Sequence, residues 1–140
     1  YSKLLKGKGS DTEKEEMIFR LGRAFFLKAK FEDSIKMLEY QKSQFSEGKL
    51  FWKAQLEIAH ALGAKGECKE AIKQYTLVAA NASKELKTLS IFGKAACLEE
   101  QDELDDAYEL FSSIKSEYPA PTVVELKMQK IKRRKILRKR

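Results

Sequence analysis

Residues 18–40 read IFRLGRAFFLKAKFEDSIKMLEY, and two later stretches repeat their layout: QLEIAHALGAKGECKEAIKQYTLV at 55–78 and IFGKAACLEEQDELDDAYELFSSI at 91–114. Aligned on Ser34, Ala71 and Ala107, the three are offset by 37 and then 36 residues. Each begins with an apolar-periodic segment that carries a small residue at mid-length (Gly22, Ala59, Ala95) and an apolar one three positions later (Phe25, Leu62, Leu98). A polar turn follows, then the small anchor residue, then a bulky residue four positions on (Leu38, Tyr75, Phe111). The apolar positions recur at helical spacing, as Ile18, Leu21, Phe25 and Ile91, Ala95, Leu98 show, so each stretch reads as two helices and not as strands. Antiparallel helices approach closely only where the crossing residue is small, so Gly22 is expected at Ser34's turn, Ala59 against Ala71 and Ala95 against Ala107. A single hairpin cannot bury its apolar faces alone. Repetition at this period therefore means hairpins stacked on one another.

Leu21-Gly22-x-x-Phe25 in the first stretch, and Ala107, Phe111 and Pro119 in the third, resemble the tetratricopeptide repeat pattern. The pattern is kept in part: Ser34 stands where alanine is usual, Ile58-Ala59 replaces Leu-Gly, and only the third repeat has its closing proline. The offsets exceed the family's period of about 34 residues, which implies longer helices or turns. The resemblance implies an all-α, right-handed solenoid of three hairpins, at about 15–47, 52–86 and 88–119. The ending EYPAPTVVELKMQKI is also similar to bacterial envelope proteins of this family, of the Tol-Pal-associated periplasmic and outer-membrane-assembly lipoprotein kinds. Compartment is left open between the bacterial envelope and the cytoplasm.

The ends follow from capping signals. Tyr1 to Leu5 reads as the last turn of a preceding helix or repeat, and residues up to 14 as a linker in which Ser10 or Asp11 caps the next helix. After Pro119 and Pro121, Thr122 can cap a final helix over 122–140 whose Val124, Met128 and Ile131 share one face. That face is expected to cover the third hairpin. Ile136 and Leu137 fall off the stripe, so the last residues are expected to project.

Those last residues carry the charge. KMQKIKRRKILRKR, residues 127–140, holds nine of the 28 basic residues and no acid, which leaves 19 basic against 21 acidic residues in positions 1–126. The body is thus nearly neutral and the net charge of +7 belongs to the tail. Lys130, Lys132, Arg133, Arg134, Lys135, Arg138, Lys139 and Arg140 form a candidate site for nucleic acid, an anionic membrane surface or an acidic protein. No aromatic residue lies among them to stack on bases. A solvated terminus that aids solubility is the competing reading.

Nothing in the chain assembles catalytic chemistry. His60 is the single histidine, and neither Cys68 nor Cys97 has a partner at metal-ligand or dyad spacing, so both cysteines read as small buried residues. GKGS follows no strand, and EEQDELDD lacks the glycine of a calcium loop, reading instead as a solvated turn and helix start. No cofactor, metal or small-molecule substrate is expected. With 43% apolar residues, two prolines and no apolar run of membrane-spanning length, the chain reads as one soluble, packed helical domain.

What remains is a surface for protein partners. The resemblance implies that the first helix of each hairpin lines a concave groove, and it places there Glu16, Phe19, Arg23 and Phe26, then Lys53, Leu56 and His60, then Leu89, Phe92, Ala96 and Glu99. Phe19, Phe26, Leu56 and Phe92 would form an apolar strip rimmed by charge, suited to an extended or helical peptide. The competing reading rotates them into the core. Trp52, beside Phe51, is expected to pack on the preceding repeat.

Overall fold

A computed structural model describes residues 10–138, all of whose regular structure is helical. The helices are α1 (Asp11–Leu27), α2 (Phe31–Gln44), α3 (Phe51–Ala64), α4 (Cys68–Asn81), α5 (Lys84–Glu100), α6 (Leu104–Ile114) and α7 (Pro121–Arg138). Each helix packs on the next in the chain, and α1, α3 and α5 also touch in sequence. The result is a stack of three hairpins, α1–α2, α3–α4 and α5–α6, closed by α7. The expected helix end at residues 1–5 lies outside the described residues.

The hairpins are alike down to single backbone atoms. Ala29, Gly66 and Asp102, spaced as the anchors are, hold positive φ values of 60°, 90° and 69°. One residue on, Lys30, Glu67 and Glu103 donate their N–H groups to Phe25, Leu62 and Leu98 across the turn, each at 2.9 Å. Their own carbonyls then accept the N–H groups of Ser34, Ala71 and Ala107 at 3.0 Å and start the second helices. The left-handed residue reverses the chain and satisfies carbonyls that the first helix leaves open.

Capping sets two boundaries apart from expectation. Ser10 Oγ accepts the Glu13 N–H at 3.1 Å, the cap the sequence offered, so the linker ends there and residues 11–14 belong to α1. Ser83 Oγ accepts the Leu86 N–H at 3.4 Å, and α5 therefore starts at Lys84, ahead of residue 88. In both cases the serine meets an orphan donor of the first turn.

The small anchor residues lie at the crossings. Ala59, Ala71, Ala95 and Ala107 are each 0% exposed. In the first hairpin the Ser34 hydroxyl donates to the Gly22 carbonyl at 2.7 Å, and a Cβ at Gly22 would lie 2.6 Å from Leu38 Cδ2. Serine thus replaces alanine there because its hydroxyl has a buried partner. Tyr75, the equivalent of Leu38, is longer and spans to the next hairpin, where its ring lies against Gly93.

Two apolar clusters result. One runs from Leu38 through Ile58, Ala59, Tyr75 and Val78 to Cys97, with Trp52 packed at its edge; the other joins Ala95, Leu104, Phe111 and Ile114 to α7. Val124 and Ile131 of α7 are both fully buried and Met128 packs beside them, as the helical stripe predicts. Among the described residues no helix is long and apolar enough to cross a membrane.

Candidate functional site: the inner face and the α7 seam

Contact between successive first helices places α1, α3 and α5 on the inner side of the stack. The predicted groove residues are distributed over these three helices, some on their free faces and some buried. Glu16, Phe19 and Arg23 do come together, with Arg20, Ala24, Leu27 and Leu50, around an open pocket of about 440 Å³. Phe19 is half-buried, while Leu27 is 77% exposed, the most exposed large apolar side chain among the described residues. The pocket has an apolar floor and a charged rim. Arg20, Ala24, Leu27 and Leu50 were not among the predicted residues; continuing the i, i+4, i+8 stripe from Phe19 through Arg23 could have found Leu27, but Leu50 comes from the loop before α3.

The rest of the predicted strip is not continuous. Leu56 is 5% exposed and belongs to the first core cluster, so it floors the structure instead of lining a groove. Phe92 is half-buried, edge-on to Phe111 at 5.3 Å and stacked on Tyr118 at 4.5 Å, which ties it to the second cluster. Glu99 is 5% exposed and faces α7. Rotation of the long helix α5 toward α6 and α7 accounts for Phe92 and Glu99. Phe26 stands half-buried, edge-on to Phe31 at 5.4 Å; Leu89 and Ala96 are half-buried, and Glu16 and Lys53 are exposed.

Midway along the inner face lies a polar group. Arg23 approaches Glu57 at 3.8 Å, joining α1 to α3, and His60 Nδ1 lies 2.6 Å from the Tyr75 hydroxyl. Burial, and secondarily the Arg23 charge, lowers the His60 pKa to about 4, so the imidazole is neutral at physiological pH. Burial raises Glu57 and Arg23 opposes that rise. Burial also raises the Tyr75 phenol, which stays protonated. These groups are held neutral or paired. They can position a bound segment by hydrogen bonds.

The two cysteines are free and buried. Cys68 donates to Glu100 at 3.1 Å, and burial first, then that carboxylate, pushes its thiol up to about 12. Such a thiol is unreactive. Among the described residues no group of His, Cys, Asp and Glu is arranged to hold a metal ion.

The basic tail corrects the expectation most. Instead of projecting from Ile136 onward, α7 runs to Arg138 and is fastened to the acidic turn between α5 and α6. Glu99 forms ion pairs with Lys127 and Arg134, both at 3.6 Å; Asp102 pairs with Arg134 at 2.9 Å and also with Arg138; Asp105 pairs with Lys135. The Arg138 hydrogen bond is the first cause of the lowered Asp102 pKa. Lys132 lies 5.5 Å over the Tyr108 ring. EEQDELDD is therefore the counter-charge of the tail, a signal visible in the sequence as two opposite charge runs. Lys130 and Arg133 are exposed without a carboxylate partner among the described residues, and Lys139 and Arg140 lie outside them.

Comparison with solved structures gives the architecture its relatives. The chain superposes with a TM-score of 0.72 on the Yersinia enterocolitica type III secretion chaperone SycD, crystallised in complex with a peptide of the translocator YopD, at 22% identity over 91% of this chain and 97% of that one. The fold is tetratricopeptide-like. A Podosopora anserina kinesin light chain with nearly identical TPR-like repeats matches with a TM-score of 0.71, at 17% identity over 89% of this chain and 67% of that one. Identities this low speak for the fold alone. No family model matches the sequence, and no curated protein does.

Proposed function

We propose that this tetratricopeptide-like stack is a protein-interaction module that holds an extended segment of a partner against the α1 end of its inner face, without chemistry of its own. The observation that carries this is the pocket walled by Phe19, Leu27 and Leu50 and rimmed by Glu16, Arg20 and Arg23. An apolar side chain of the partner would enter it, while the two arginines favour a neighbouring carboxylate. That the similarly folded SycD was crystallised with a peptide supports the reading. The polar group from Arg23 to Tyr75 would continue the track along α3.

The alternative, a basic-tailed binder of nucleic acid or anionic membrane, draws on fewer free charges than the composition offers. Lys127, Arg134, Lys135 and Arg138 already face carboxylates. A photo-crosslinking amino acid at position 27, installed in the source cell, tests the first reading. A protein crosslinked there, and lost with Phe19→Ser, supports it. Crosslinks unaffected by Phe19→Ser, or only nucleic acid and lipid at position 27, overturn it.

A further inference from the structure

Helix α7 has two apolar faces. The inner one, Val124, Met128 and Ile131, is covered by the third hairpin. The outer one runs Val123, Leu126, Lys130, Arg133, Leu137, at spacings of i, i+3, i+7, i+10 and i+14, which is the alternation of a coiled-coil seam. At 100° per residue the two stripes point in nearly opposite directions, and the exposures agree: Val123 41%, Leu126 57%, Leu137 66%. Four of the seven large apolar side chains exposed among the described residues are on this one helix, Ile136 being the fourth. A helix that only capped the stack would have a polar outer face.

The middle of the seam defines what fits it. Among the described residues Lys130 and Arg133 are exposed and have no carboxylate partner, whereas Arg134, Lys135 and Arg138 on the inner flank are bound to Glu99, Asp102 and Asp105. We propose that the outer face of α7 is a second docking surface, independent of the inner-face pocket, for an acidic amphipathic helix of a partner protein. The partner's apolar residues would meet Val123, Leu126 and Leu137, and its carboxylates would meet Lys130 and Arg133. The seam is about 21 Å long at 1.5 Å per residue, the length of a helix of four turns.

Other occupants fit less well. A second copy, in either orientation, would bring its own Lys130 and Arg133 against these and repel. An uncharged helix would bury both charges without partners. A flat anionic bilayer needs a broad basic and apolar plane, whereas the apolar anchors here form a line only one residue wide with two exposed cations between them. A partner helix touches the seam alone.

The test uses the full chain and a stapled, fluorescein-labelled helical peptide with leucine at the three outer seam positions and glutamate at the two central ones. A twin with lysine at the central positions is the control. The glutamate peptide is expected to bind at least about tenfold more tightly than its twin, as close charge pairs across an interface allow. Lys130→Glu with Arg133→Glu should invert that preference, and Phe19→Ser should leave it unchanged. Both substituted positions are exposed, so circular dichroism should show an intact fold. Equal affinities for the twins, or no binding of the glutamate peptide, overturn the proposal. So would self-association of the chain abolished by Leu126→Glu, or capture on phosphatidylserine vesicles abolished by the double charge reversal.

Discussion

The Tyr75 ring lies across Gly93 so closely that a Cβ there would come within 2.7 Å of the phenolic oxygen and overlap the ring itself. This contact carries the second hairpin onto the third, and the same tyrosine holds His60 on the inner face. Gly93→Ala should therefore destabilise the protein by roughly 1–3 kcal/mol, the usual cost of overpacking. Tyr75→Leu makes room, so the double variant should recover part of the loss and the two effects should not add. Urea unfolding of both single variants and the double variant measures the coupling. Additive losses would mean that ring and glycine do not meet.

The three left-handed turn residues offer a second comparison. Gly66 adopts φ 90° without a side chain to clash, and Asp102 belongs to a residue type that tolerates the region, whereas Ala29 at φ 60° is held there by its surroundings. Ala29→Gly should raise stability by up to about 1 kcal/mol, and Gly66→Ala should lower it by about 1–2 kcal/mol. Thermal melts of the two variants decide it. A loss in Ala29→Gly would show that chain entropy outweighs the relieved strain.

The hairpins were legible because their determinants are local and repeat: a small residue at each crossing, an apolar one three later, a bulky one four past the anchor. Turn geometry was least legible at Ala29, since alanine gives no sign of a positive φ, whereas glycine and, more weakly, aspartate tolerate it. The groove was read from register; on α1 that register puts Glu16, Phe19 and Arg23 around one pocket and leaves Phe26 beside Phe31. It failed for Leu56, which packs into the first core cluster, and for Phe92 and Glu99 on α5, which pack toward α6 and α7, all of them contacts with neighbours distant in sequence. The docking of α7 was half legible: the inner stripe announced itself at i, i+4, i+7, but the match between EEQDELDD and KRRK needed the two runs to be placed side by side.

His60 gives the inner face a pH dependence. Its pKa falls from 6.5 in the unfolded chain to about 4 in the folded one, chiefly through burial. The unfolded state therefore binds the extra proton between those values, and stability present above about pH 6.5 is lost as the pH falls toward 4. At 1.36 kcal/mol per unit, reduced for the partial exposure of the ring, the loss should be about 2 kcal/mol. Urea midpoints at pH 7.5 and pH 5 should differ more for the native chain than for His60→Gln. Identical differences would place the pH dependence elsewhere.

The attachment of α7 separates a buried charge from exposed ones. The Glu99 side chain is 7% exposed between Lys127 and Arg134, whereas those of Asp102 and Asp105 are 44% and 80% exposed. Exposed pairs are screened by salt and contribute little, while a buried carboxylate beside two cations does not give way to screening. Glu99→Gln should thus cost about 1–2 kcal/mol, less than for a fully buried pair because Lys127 and Arg134 are each about a third exposed. Asp102→Asn and Asp105→Asn should each change stability much less than Glu99→Gln and lose their effect at high salt. Hydrogen exchange over residues 127–138 should accelerate in Glu99→Gln at every ionic strength. If Asp102→Asn frees the helix as fully as Glu99→Gln does, the surface pairs hold α7 and Glu99 is incidental.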